Sequence, residues 1–183
     1  MGGSSANRGK GRATRDTPTG QRRQVTVLFA DMAGYTALAE RLGEERTYLV
    51  MQRVHRELGA AIHDQEGTVQ EMTGDGVMAL FGAPIAVEDA PLRACRAGLD
   101  IQARMAVLAD ETEAEHGVRP GFRVGIHSAP LVVGEVGDAR SSGVTALGDT
   151  VNLASRLEAE AEAGQVILSQ ATWALVEGFV DGT

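Results

Sequence analysis

Between two strand-like runs, Thr68–Thr73 and Val77–Phe81, the chain offers only Gly74-Asp75-Gly76. So short a glycine-bearing link makes a β-hairpin, which commits part of any sheet to antiparallel pairing. Val25–Ala30 (VTVLFA) adds a second constraint. It is a short apolar, β-branched run without helical period, bounded by polar residues, and so predicts a buried strand. That strand ends on Asp31.

Helical periods lie between the strands. From Glu44 to Gln65 the residues Tyr48, Leu49, Val50, Met51, Val54, Leu58, Ala61 and Ile62 recur at three and four, marking an amphipathic helix ended by Gly67. A second helix is expected from Val87 to about Glu115, with an apolar stripe at Leu92, Cys95, Leu99, Ile101, Met105 and Leu108 and with Pro91 in its first turn. Extended runs follow at Gly121–His127, Leu131–Val136 and Val144–Leu147. Gly148-Asp149-Thr150 then opens a helix, with Asp149 or Thr150 as N-cap. Gln165–Ser169 reads as a strand and Gln170–Gly178 as a short helix. The order β-α-β-β-α-β-β-β-α-β-α predicts an α+β, ferredoxin-like sandwich, a mostly antiparallel sheet with helices packed on one face.

The 183 residues suit a single domain, and a chain of this size buries about two-thirds of its unfolded surface. No apolar run is long enough to span a bilayer, and the polar N-terminus lacks a secretory h-region, so a soluble, cytoplasmic protein is expected. The lone Cys95 has no intrachain partner and reads as a small buried apolar residue. Charge is unevenly spread. Met1–Gln24 carries six basic residues against Asp16, which predicts a disordered basic Gly/Ser/Arg tail over residues 1–23, ahead of a folded domain over 24–183. The rest carries eleven basic residues against twenty-four acids, which argues against a nucleic-acid groove across the body.

Several reaction classes drop out. The chain has no GxxxxGK[ST] phosphate loop, no GxGxxG after the first strand, no HExxH and no paired CxxC. The remaining candidate chemistry is acidic. Asp31 ends a buried strand and Asp75 sits in a hairpin turn, so two carboxylates on adjacent strand ends could hold divalent cations; Mg²⁺ takes one or two carboxylates plus substrate phosphates. A strand-end Asp closing a turn and an Asp-Gly hairpin are the plain alternatives. Asn152 and Arg156, four apart, share one helix face and would offer an amide and a planar guanidinium to a ribose and a phosphate. Ordinary helix surface is the alternative there.

Taken in order, VTVLFADMAGYT, VQEMTGDGVMALFG, RVGIHSAPLVVGEVG and ALGDTVNLASRLE closely resemble the class III nucleotidyl cyclase catalytic domain, the adenylate/guanylate cyclase family. The resemblance runs from about Gln24 to the C-terminus. It implies a palm-type α+β domain working as a head-to-tail homodimer, with two Mg²⁺ or Mn²⁺ ions on Asp31 and Asp75 and the Met32 carbonyl as a further ligand. The transition-state Asn and Arg of the family fall on Asn152 and Arg156. In the implied reaction the ribose 3′-hydroxyl of ATP or GTP attacks the α-phosphorus, leaving a 3′,5′-cyclic nucleotide and pyrophosphate. The resemblance also places the two half-sites of one active centre on opposite subunits.

The base-reading positions of the family fall on Glu71 and Thr145. Adenylate cyclases carry Lys at the first and guanylate cyclases Glu. A carboxylate accepts only, and guanine presents N1–H and N2–H donors, so Glu71 points to GTP, whereas the Thr145 hydroxyl suits either base. A solvated strand-edge carboxylate is the other reading of Glu71. Ala129 replaces a usual Gly in the hairpin expected after His127-Ser128, and the chain ends before the final strands that members usually have. The sequence contains sixteen Arg and one Lys, Lys10. Neither the adenine-reading Lys nor the phosphate-binding Lys of the family can therefore come from this chain's folded body. A non-catalytic cyclase-like module that binds nucleotide or dimerises is the alternative function; a diguanylate cyclase is excluded, because GG[DE]EF is absent.

Overall fold

The computed structural model describes residues 20–134 and 142–182. Five strands form one sheet in the order β2-β3-β1-β4-β5. They are β1 (Gly20–Ala33), β2 (Thr68–Met72), β3 (Gly76–Phe81), β4 (Gly121–Gly134) and β5 (Val166–Leu168). All pairings are antiparallel except β4 with β5. The helices are α1 (Tyr35–Leu42), α2 (Glu44–His63), α3 (Ala90–His116), α4 (Ser142–Glu160) and α5 (Gln170–Val176). The predicted mixed α+β architecture is present.

Strand alternation explains why VTVLFA reads as continuously apolar. Leu28, Ala30 and Met32 enter a core shared with α2 and α3, while Val25 and Val27 enter a second one with Leu80, Leu131 and Ala154. The central strand is thus covered on both sides. Helices α2, α3 and α5 share the first face, as expected of a one-sided packing, but α4 lies across the other.

Gly125 makes that placement possible. A Cβ there would stand 2.2 Å from the Glu158 backbone nitrogen and 2.5 Å from the Ala154 carbonyl oxygen, so α4 rests on the β4 backbone itself.

Several boundaries differ from expectation. Gly20–Arg23 already pair with Leu131–Gly134, so strand β1 reaches into the stretch expected to be tail; residues 1–19 lie outside the described residues. The runs expected on either side of a hairpin at Ala129 join over residues 121–134 in one strand, β4, with Ala129 paired to Val25; Glu135 and Val136 lie outside the described residues. Pro130 is tolerated because β5 flanks only Val124–Ile126, which leaves β4 with an edge at that point. The expected strand Val144–Leu147 is helical, since α4 starts at Ser142; Asp149 and Thr150 consequently lie inside the helix and are not caps.

Helix α4 buries Thr150, Ala154 and Glu158, whereas Leu153 is 39% exposed. Leu99 likewise leaves the α3 stripe at 57% exposure. Its neighbour Gly98 lies against Ile126, Val166 and Val124 instead. Helix α1, which the apolar pattern does not announce, is short and set between Gly34 and Gly43, both with positive φ.

Candidate active site

Strand register assembles the carboxylates. Asp31 stands opposite Gly76 in the β1–β3 ladder and opposite Arg123 in the β1–β4 ladder. The β2–β3 turn is closed by the Thr73 N–H donating to the Gly76 carbonyl at 3.0 Å, and the Met32 N–H donates to the Asp75 carbonyl at 3.0 Å. Asp75 is thereby tied to the residue that follows Asp31. The approach is close because residue 76 has no side chain: a Cβ there would lie 2.3 Å from the Ala30 carbonyl oxygen and 2.7 Å from Asp31 Oδ1.

The paired carboxylates repel. Burial, then the charge of Asp75 and a hydrogen bond shared with it, push the Asp31 pKa up, against the pull of Arg123 and the Met32 N–H. Arg123 Nη2 lies 3.3 Å from Asp31 Oδ2 and its Nε lies 2.9 Å from Glu158 Oε1. The second contact is an ion pair without hydrogen-bond alignment, since both buried atoms have no aligned partner. Burial also raises the Glu158 pKa; Arg123 opposes this, and Asp31 and Asp75 add to it.

Two adjacent acids, half-buried and mutually repelling, are a donor set that a divalent cation would relieve. Among the described residues no three His, Cys, Asp or Glu side chains gather into a metal-holding group. Further oxygens would therefore have to come from backbone or substrate. The Met32 side chain is buried in the core, so only its backbone is available to such a site.

Asn152 and Arg156 are both exposed on α4, as their spacing predicts. Arg156 forms no ion pair with Asp31, whose one cationic partner among the described residues is Arg123. Glu71 is exposed on the edge strand β2, paired with Met78 just past a register shift, and so faces the same side of the sheet as α4. Thr145 belongs to α4, but its side chain lies outside the described residues.

A family model described as the adenylate and guanylate cyclase catalytic domain matches residues 18–181. The chain belongs to that family.

This cyclase domain is 32% identical over 137 residues to adenylate cyclase 1 of Rhizobium meliloti (strain 1021), covering 75% of the chain and 21% of the relative. The match to the adenylate cyclase of Anabaena cylindrica is similar, at 30% identity, 74% of the chain and 27% of the relative. The domain thus spans about a fifth to a quarter of those relatives' length. Among solved structures, the adenylyl cyclase CyaB from P. aeruginosa superposes with a TM-score of 0.74 at 29% identity, covering 87% of this chain and 83% of that one. The guanylyl cyclase Cya2 gives 0.71 at 30%, with 85% and 79% covered.

Two residues in contact with the candidate carboxylates or with one another beside them escaped sequence reasoning, Arg123 and Glu158. A signal existed for the first: in Gly121–His127 an arginine alternates with Phe122 and Val124 inside an apolar strand, where a charge needs a partner. Glu158 gave none, because its burial follows from the rotation of α4 about its axis.

Proposed function

We propose that the chain is a nucleotidyl cyclase that converts ATP or GTP to the 3′,5′-cyclic nucleotide and pyrophosphate, in intracellular cyclic-nucleotide signalling. The observation that carries the reading is the register that sets Asp31 beside the Asp75 turn. In this proposal Asp31, Asp75 and the Met32 carbonyl hold two Mg²⁺ or Mn²⁺ ions, which when bound acidify the ribose 3′-hydroxyl and neutralise triphosphate charge. Asn152 orients the ribose. Arg156 meets the charge that grows on the α-phosphate, and its planar guanidinium suits two phosphate oxygens at once. No lysine lies between Gly11 and Thr183, so among these residues the cationic side chains open to the triphosphate are arginines.

The domain works as a head-to-tail homodimer, each site drawing its carboxylates from one subunit and Asn152 with Arg156 from the other. Two features support this. Asn152 and Arg156 are exposed, and the cation paired with Asp31 is Arg123 and not Arg156. Phe29 and Met78, beside the carboxylates on the α4 face, are only part-buried, while the opposite face is sealed by α2 and α3. Glu71 and Thr145 read the base, with Glu71 favouring guanine.

Turnover of ATP and GTP with Mn²⁺ on one preparation tests the reaction. Mixing Asp31→Ala with Asn152→Ala tests the shared site. Each is expected to be inactive alone and the mixture active; exchange of subunits without recovered activity would rule the shared site out.

A further inference from the structure

Arg123 reaches in two directions. Its Nη2 meets Asp31 on β1 at 3.3 Å and its Nε meets Glu158 on α4 at 2.9 Å. Glu158 is 8% exposed and belongs to the buried stripe of α4, while Asn152 and Arg156 occupy the solvent side of that helix. One guanidinium therefore touches both a proposed metal carboxylate and the inner face of the helix that carries the proposed transition-state residues. The contact to Glu158 is a charge contact between atoms with no aligned hydrogen bond. It follows that any change in the share of Arg123 held by Asp31 changes what holds Glu158. The Gly125 contact leaves α4 no backbone slack at this point, because the Glu158 nitrogen already lies against β4.

We propose that Arg123 is a positioning residue that bridges Asp31 and Glu158 and so couples metal loading at one active site of the dimer to the seating of Asn152 and Arg156 for the other. The proposal rests on the shared-site reading above. In each subunit Asp31 serves one centre, and α4 serves the opposite one. When a cation occupies Asp31, the carboxylate pulls less on Arg123, the guanidinium turns more fully to Glu158, and α4 is held more firmly. By reciprocity, removing Glu158 releases Arg123 to compete with the cation for Asp31.

The test uses mixed dimers purified through two different tags, one subunit Asp31→Ala and the other Asn152→Ala. Such a dimer has one complete site, with carboxylates from the Asn152→Ala subunit and the Asn/Arg pair from the Asp31→Ala subunit. Glu158→Gln, nearly isosteric, is placed in either one. In the Asp31→Ala subunit it should lower kcat about fivefold at saturating Mn²⁺; in the Asn152→Ala subunit it should raise the half-saturating Mn²⁺ concentration about fivefold and spare kcat, the low end of coupling between sites. A merely structural role would move both quantities alike from either subunit, and that result overturns the bridge.

Calorimetric titration of the nucleotide-free homodimer with Mn²⁺ alone gives a readout without turnover. Glu158→Gln should weaken binding about fivefold, and Arg123→Lys, which keeps the charge and loses the fork, should separate kcat from metal affinity in the mixed dimer. If the mixed dimer without any Glu158 change is inactive, the shared-site reading has failed rather than the bridge. The titration then decides the bridge alone, and an unchanged Mn²⁺ affinity overturns it.

Discussion

Gly76 faces Asp31 across the β1–β3 ladder with no room for a side chain, 2.3 Å separating its would-be Cβ from the Ala30 carbonyl oxygen. Gly76→Ala must push β3 away from β1 at the carboxylate pair. The expected result is a loss of about 1–3 kcal/mol in stability, typical of overpacking, with cyclase activity reduced by more than that loss explains. Urea unfolding and turnover on the same samples check it.

The charge of Asp75 disfavours the ionised form of Asp31. Asp31→Asn removes that repulsion and keeps the shape. The metal-free variant should melt higher than the parent at neutral pH, by about 2–4 °C if the relief is near 1 kcal/mol, while metal-dependent turnover is lost. A lower melting temperature would show that the Arg123 contact outweighs the repulsion.

Asn152 and Arg156 are exposed, so their removal should cost little fold stability, within about 0.5 kcal/mol. Activity should behave otherwise. Loss of a preorganised donor typically costs about 10²–10³ in rate, and Arg156→Ala or Asn152→Ala is expected in that range. Melting temperature and kcat measured side by side distinguish a transition-state role from helix surface.

Glu71 lies exposed on an edge strand, where a charge reversal is tolerated by the fold. Glu71→Lys exchanges an acceptor for a donor. The ratio of kcat/KM for ATP over GTP should rise at least about tenfold, the scale of one hydrogen bond to a base edge. An unchanged ratio would return Glu71 to the solvated carboxylates.

Burial pushes the Cys95 thiol up to about 11. Because the folded value exceeds the unfolded one, the stability Cys95 contributes is complete below about pH 9 and is lost as pH rises from there through 11. The folded protein should resist alkylation by iodoacetamide at about pH 8, where the thiol stays protonated, and react once urea unfolds it. Fast reaction of the native protein would contradict the buried placement of Cys95.

Much of the fold was legible because its signals are local. The Gly74-Asp75-Gly76 link, the period of α2 and the apolar run before Asp31 each depend on a few adjacent residues, and each appears where expected within a few positions. The errors share one cause. At Val144–Leu147 a β-branched run lost to the helical period, because Leu147 and Val151, one turn apart, pack on the second core with Ala154. At Leu153 and Leu99 the side chains have the right hydrophobicity but lie on the outer side of their helices, where small residues, Ala154 and Gly98, take the contact with the sheet.

The order of motifs in the sequence by itself determined the family, the acidic hairpin turn and the shared face of Asn152 and Arg156, since spacing along a strand or helix fixes direction; the first strand, expected to end on Asp31, runs on to Ala33. Only the tertiary structure decided that Asp31, Gly76 and Arg123 form one row across three strands, that α4 crosses the face opposite α2 and α3, and that Glu158 turns inward to meet Arg123. The reason is physical. Register between strands and the rotation of a helix on a sheet are set by close approach at Gly76 and Gly125, a fit between distant segments that no local pattern encodes.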